Sequence, residues 1–285
     1  MNTNVRNVSQ IITPIQVLEG AGVLLKRSIA SHSLDYLDPF LLFDHFGSDN
    51  PDDYLAGFPM HPHRGIETVT YMLAGRVTHR DSLGNSGTIG AGDVQWMTAG
   101  RGIMHEEMPQ PYEGKMEGFQ LWVNLPAKLK MTAPRYRDIH SANIPEVELP
   151  GEIKLRLVAG QYSSSSGAVT DIYADPTYLD VSMPAEASFS HPVAADHSVF
   201  AYLFRGKGMF GSTEIAAEAP QLVIFGNGEK INIKAASGGA RFLLISGLPL
   251  EEPIARYGPF VMNTRAEIEQ TLMELREGTF IKNID

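Results

Sequence analysis

The chain has 285 residues, 43% of them hydrophobic and 20% charged, with a formal net charge of -10 at pH 7. That size predicts one large or two medium domains with their own cores, and the acidic balance disfavours nonspecific nucleic-acid binding, which depends on Lys and Arg against phosphate. No cysteine is present, so disulfides, thiolate metal sites and a cysteine nucleophile are excluded.

The N-terminal run MNTNVRNVSQIITPIQ has no long apolar stretch behind a basic start, and we read no signal peptide in it. No apolar run approaches the ~20 residues a membrane span needs. The expectation is a cytoplasmic protein with no membrane contact.

The predicted elements are short strands. Glu67–Leu73 and Gln120–Leu125 alternate between apolar and polar positions. After Gln120–Leu125, residues 124–131 predict a short helical turn. Later come Ile153–Val158, Tyr178–Val181, Gln221–Phe225 and Arg241–Ile245. Gly, Pro, Asn or Asp bounds each strand, which points to barrels or sandwiches. The one clear helix starts at Thr264-Arg265-Ala266-Glu267, a capping box. Ile268, Leu272 and Leu275 then share a face and Gly278 ends it, so a helix is expected near 265–277.

A weak internal repeat bears on the architecture. With Gly75 set over Gly206, Val69–Gly75 lies over Phe200–Gly206. Apolar residues match at alternate positions, and Tyr71 falls on Tyr202. Two similar β domains follow, over 1–134 and 145–285, joined in the polar, proline-bearing stretch Ala133–Pro150.

The chemistry gathers in the first of these. His61 and His63 are i and i+2 in an extended segment and point to one side. Counting on along the strand adds Glu67. His105 and Glu107 repeat the i, i+2 spacing after two glycine turns, with Glu106 on the other side. Three imidazoles and a carboxylate suit a divalent metal, here Fe, Mn, Ni, Cu or Zn. Geometry leaves Glu67 and Glu107 open as the carboxylate. Under the same shift His61, His63 and Glu67 fall on Pro192, Ala194 and Ser198, so the second domain is expected to be metal-free. His79, His140, His191 and His197 read as surface or structural residues. Arg64 and Arg101 read as surface ion-pair residues, with anion attraction at the barrel mouth as the alternative. Trp96, Met97, Met104 and Phe119 read as core residues that could also form a pocket wall.

His61-x-His63-(x)3-Glu67-(x)7-Gly75 resembles the first signature of the cupin superfamily, and Gly92–His105 the second. More narrowly, His61–Val69, Gln95–Ile103 and Tyr257–Thr264 resemble the pirin family. The resemblance spans most of the chain. It implies an all-β fold of two antiparallel, jelly-roll-like cupin barrels in tandem with a short C-terminal helix. It implies a mononuclear metal centre, Fe(II) first among the candidates, held by His61, His63, His105 and Glu107. It leaves Glu67 to orient a ligand histidine. The activity it implies is oxygenolytic cleavage of quercetin or a similar flavonol with O2, with Glu107 as the proton acceptor. The alternative it implies is an iron-dependent redox-sensing regulator that binds a protein partner.

Overall fold

A computed structural model describes residues 4–111 and 114–282; the first three residues of the N-terminal run read above lie outside the described residues. In chain order the strands are β1 (Val8–Ile12), β2 (Ile15–Glu19), β3 (Val23–Ile29), β4 (Phe40–Ser48), β5 (Phe58–His63), β6 (Ile66–Ala74), β7 (Arg76–Asp81), β8 (Ser86–Gly90), β9 (Val94–Thr98), β10 (Ile103–Pro109), β11 (Met116–Asn124) and β12 (Arg135–Ile139). There follow β13 (Glu146–Leu149), β14 (Ile153–Ala159), β15 (Gln161–Tyr162), β16 (Ser165–Ser166), β17 (Thr177–Met183), β18 (Ser188–Pro192), β19 (Ser198–Phe210), β20 (Ile215–Glu218), β21 (Gln221–Phe225), β22 (Lys230–Gly247), β23 (Ala255–Tyr257) and β24 (Phe260–Met262). The helix is α1 (Arg265–Arg276). The helical turn expected after β11 is a single 3-10 turn, Ala127–Leu129.

The chain divides into two units. One contains residues 16–36, 40–141 and 250–285, the other 1–15, 37–39 and 142–249. The division at Ser141 falls inside the expected join, but the contiguous ranges 1–134 and 145–285 do not describe the units. The physical reason lies at both ends of the chain. β1 pairs antiparallel with β21. Buried Arg6 donates to the carbonyls of Gly228 at 2.9 Å, His197 at 2.9 Å and Ala194 at 2.7 Å. The last 36 residues, 250–285, are claimed by the first unit through bonds to Arg64 and Lys130 described below.

In the first unit β12-β9-β6-β11-β4-β3-β2 form one sheet and β5-β10-β7-β8 a second. Even-numbered positions of β4, β6 and β11 face inward. In the other unit, β1-β21-β19-β22-β17-β14-β13 form one sheet, with β18 on β22 and β20 on β19. The pairing is antiparallel throughout the named strands, in a jelly-roll-like arrangement. The expected barrels are open sheets: neither strand path returns to pair with its own start.

The internal repeat has a structural counterpart. β6 pairs with β9 and β11 as β19 pairs with β21 and β22. Gly75 and Gly206 end the matched segments with φ of 82° and 75°, a left-handed conformation that favours glycine. The interiors differ. The unit built on β19 is filled by apolar side chains, among them Leu157, Leu203, Phe210 and Phe242.

α1 is capped as its sequence requires. Glu267 N–H donates to Thr264 Oγ1 at 3.3 Å, and Thr264 N–H to Glu267 Oε2 at 2.7 Å. Its buried face is only partly the expected one: Ile268 and Leu272 pack with Phe260 and Phe280, but Leu275 does not. Ile268, Thr271 and Glu274 are buried, while Leu275 is exposed. The cause is Arg64, which is buried rather than a surface residue. It donates to Arg101 O at 2.7 Å, Thr271 Oγ1 at 3.0 Å and Glu274 Oε2 at 2.6 Å, and it lies 4.5 Å over the Phe280 ring. A buried guanidinium needs acceptors, and α1 presents them. Against the opposing effect of burial, the hydrogen bond from Gln270 and then the Arg64 guanidinium and Lys282 hold Glu274 below its usual carboxylate range.

Candidate metal centre

β5 and β10 lie antiparallel, with His105 directly opposite His61 and Ile103 opposite His63. The i, i+2 spacing puts His61 and His63 on the inner face, and the strand pairing brings His105 to them. One nitrogen of each imidazole lies within 4.8 Å of the other two. The His61 and His105 ring centres are 4.4 Å apart, and those of His63 and His105 5.1 Å. His63 and His105 are buried, and His61 is half-buried.

The donor set fits a metal ion on proton grounds. His61 Nε2 and His63 Nε2 are 3.1 Å apart. His61 Nδ1 lies 2.9 Å from Pro59 O, and His63 Nδ1 3.4 Å from Pro259 O. Carbonyls only accept, so both contacts require protonated Nδ1 atoms. Each ring, when neutral, then has its lone pair at the facing Nε2 atom, where one cation can take both. Burial, and then neighbouring His61, push His63 down to about 3, which keeps it neutral. His105 is lowered for the same first reason, with His63, His61 and His79 adding to it. Neither ring nitrogen of buried His105 has a hydrogen-bond partner among the described residues. Neutral, buried imidazoles with free lone pairs are what a divalent ion requires.

The two carboxylates separate. Gly65, with φ of 80°, turns the chain between β5 and β6, and a side chain there would run into Val261 O. The turn resets the alternation, so Glu67 does not project with the histidines. It accepts from Thr98 Oγ1 at 2.6 Å, and burial raises its pKa. Among the described residues its side-chain hydrogen-bond partners are Thr98 and Trp96 rather than one of the three histidines. Glu107 lines the same cavity as His61 and His63. Thr70 Oγ1 lies 3.0 Å from Glu107 Oε1 and 2.7 Å from Gln120 Oε1, and its single proton serves one of them at a time. Glu107 is not within the three-histidine cluster. Glu106 points away and pairs with Arg80 at 2.5 Å.

The cavity measures about 520 Å³ and lies between the two sheets. Its wall is largely apolar, with Trp122, Gln120 and Thr70 on one side and Arg256, Gly258 and Pro259 on another. Trp122 stands edge-on to His63 at 5.0 Å, with the Arg256 guanidinium 5.2 Å over its ring. Trp96, Met97 and Phe119 are buried core as expected, and Met104 packs with Phe260 and Phe280. Gln120 and Trp122 were legible as one face of an alternating strand. Arg256 and Pro259 carried no sequence signal for this role.

His79 is neither at the surface nor isolated. It sits opposite Glu107 in the β7–β10 pairing and reaches Asp138 Oδ2 at 2.8 Å through Nε2. Tyr136 stacks on it at 4.9 Å and donates to Gln95 Oε1 at 2.8 Å, and Gln95 donates to Asp138 Oδ1 at 3.0 Å. This polar layer runs from buried His79 and Gln95 out to exposed Asp138, beside the strand that carries His105 and Glu107. His140, by contrast, is exposed beside Asp93. His191 and His197 are buried in the other unit. Among the described residues no helix is long and apolar enough to cross a membrane.

Comparison with known proteins agrees with this fold. Residues 22–123 match the family Pirin and residues 178–281 the Pirin C-terminal cupin domain. A Pseudomonas aeruginosa protein provisionally named as a quercetin 2,3-dioxygenase is 44% identical over 97% of this chain and 98% of its own. A Pirin-like protein of Caulobacter vibrioides is 41% identical over 97% of this chain and 99% of its own. The crystal structure of a quercetin 2,3-dioxygenase from Acinetobacter baumannii superposes with a TM-score of 0.88 at 34% identity, covering 96% of this chain and 98% of that one. With its two cupin units and its three-histidine cluster, the chain belongs to the pirin family.

Proposed function

We propose that this protein is a metal-dependent dioxygenase that cleaves quercetin or a similar flavonol with O2. The observation that carries the reading is buried His105, whose two ring nitrogens lack partners, set against the converging Nε2 atoms of His61 and His63 in an apolar cavity. The similarity to a quercetin 2,3-dioxygenase structure supports the substrate class.

In this reading His61, His63, His105 and Glu107 hold one divalent ion. Fe(II) is our assignment, and Mn, Ni, Cu or Zn also suit the donors. When bound, Fe(II) supplies Lewis acidity and redox chemistry toward O2. The protein's own groups do the rest. Thr70 can donate to Glu107 Oε1, and Glu107, when its other oxygen is not engaged with the ion, takes the proton of the flavonol hydroxyl. Losing that proton makes the ring electron-rich and reactive toward O2. Trp122 offers a flat apolar wall beside His63 for a planar ring system. The surrounding apolar side chains limit water around the carbanion-like substrate.

The test is O2 uptake with quercetin by protein loaded separately with Fe(II), Mn, Ni and Cu. Uptake that disappears in His105→Ala supports the reading. Absence of turnover with every one of these metals would sink it.

A further inference from the structure

We infer that the C-terminal segment, residues 250–282, is the positioning element of the metal pocket, locked in place by Arg64 and Lys130. The inference rests on the reading of His63 as a metal ligand. Its physical basis is a difference between two histidines. His61 is anchored locally, through Nδ1 to Pro59 O two residues away. His63 is anchored to Pro259 O, 196 residues away in sequence. A ligand imidazole takes its ring orientation and tautomer from the bond made by its other nitrogen. The turn between β23 and β24 therefore sets the direction of His63 Nε2.

That turn is held by two buried cations at the end of the His-Pro-His strand. Lys130 Nζ donates to Gly65 O at 2.9 Å, Val261 O at 2.9 Å and Asn124 Oδ1 at 2.5 Å. It thus ties Gly65, in the turn after β5, to Val261 in β24. Arg64, next to His63 in the chain, reaches α1 through Thr271 and Glu274. Backbone bonds complete the join: Arg64 N–H donates to Pro259 O at 3.4 Å, and Val261 N–H to Arg64 O at 3.1 Å. Arg256, Gly258 and Pro259 then stand in the cavity wall itself. Segment, strand and ligand move as one piece.

The test uses the full chain with Co(II) as the optical probe. Lys130→Met removes all three donations, and Thr271→Val removes one acceptor of Arg64 with little change of shape. Lys130→Met should weaken Co(II) affinity about tenfold or more, the usual effect of losing a group that orients a ligand. It should also alter the Co(II) d–d spectrum, and Thr271→Val should shift both in the same direction by less. Circular dichroism checks that each variant is folded. Long-range 15N spectra of the wild-type protein provide the second arm, which depends on no variant. His63 is expected to carry its proton on Nδ1 in both the metal-free and the Zn(II)-loaded protein. Co(II) affinity within twofold of wild type in folded Lys130→Met, or His63 protonated on Nε2, overturns the inference. Loss of quercetin turnover alone bears on the proposed reaction and leaves this inference standing.

Discussion

His61 Nε2 and His63 Nε2 face each other at 3.1 Å while their Nδ1 atoms reach two different proline carbonyls. Both outer nitrogens must carry protons, so each ring, when neutral, presents its lone pair at the inner nitrogen. Neutral imidazoles arranged this way are a ligand pair waiting for a cation, and the predictions below follow from that arrangement and its surroundings.

The two carboxylates should respond differently to neutral substitution. Glu107→Gln should bind metal at least about tenfold more weakly, because it replaces a cavity-facing anion with an amide. Glu67→Gln should keep its metal, because burial already favours the protonated form of Glu67 and its contact is with Thr98. Metal content after gel filtration separates them. Loss from Glu67→Gln alone contradicts our assignment.

How legible was this in the sequence? The histidine set was, because i, i+2 spacing in a strand depends only on local geometry. The choice of carboxylate was not. Counting from His63 to Glu67 assumes an unbroken strand, and Gly65 breaks it. The capping box of Thr264 and Glu267 correctly marked the start of α1. Its buried face was legible only in part because Thr271 and Glu274 face a buried guanidinium that only the tertiary fold brings there. The compact units are not contiguous in sequence for a similar reason: β1 and the C-terminal segment each pack far from their neighbours in sequence.

The buried ion pair should matter far more than an exposed one. Glu274→Ala leaves the Arg64 guanidinium buried without its carboxylate and should cost about 3 kcal/mol. Glu269→Ala removes an exposed partner of Arg265 and should stay within about 0.5 kcal/mol of the parent. Chemical denaturation of both variants gives the comparison, and equal losses would contradict the burial argument.

Acid should destabilise the β19-containing unit through His191. Burial lowers its folded pKa from 6.5 to about 4, with Tyr162 and Phe189 stacked against it. A depressed pKa means the unfolded chain binds the proton first. The contribution is therefore present above pH 6.5 and is lost as pH falls toward 4, by up to about 3 kcal/mol. His191→Phe should flatten that part of the stability profile. An unchanged slope between pH 6.5 and 4 would remove His191 as its source.

Trp122 should act on substrate rather than on metal. Trp122→Ala removes the flat wall beside His63, so kcat/KM for quercetin should fall about 10-fold or more while metal content stays within error of wild type. Metal loss in this variant would assign Trp122 a role in holding His63 instead.

The most direct measurement is an anomalous-difference map of crystals loaded with a single divalent metal, collected at that metal's edge. We predict one peak per chain, with nitrogen ligands from His61, His63 and His105 and a carboxylate oxygen from Glu107. A peak elsewhere in the chain, or no ordered metal among these three histidines, contradicts the account.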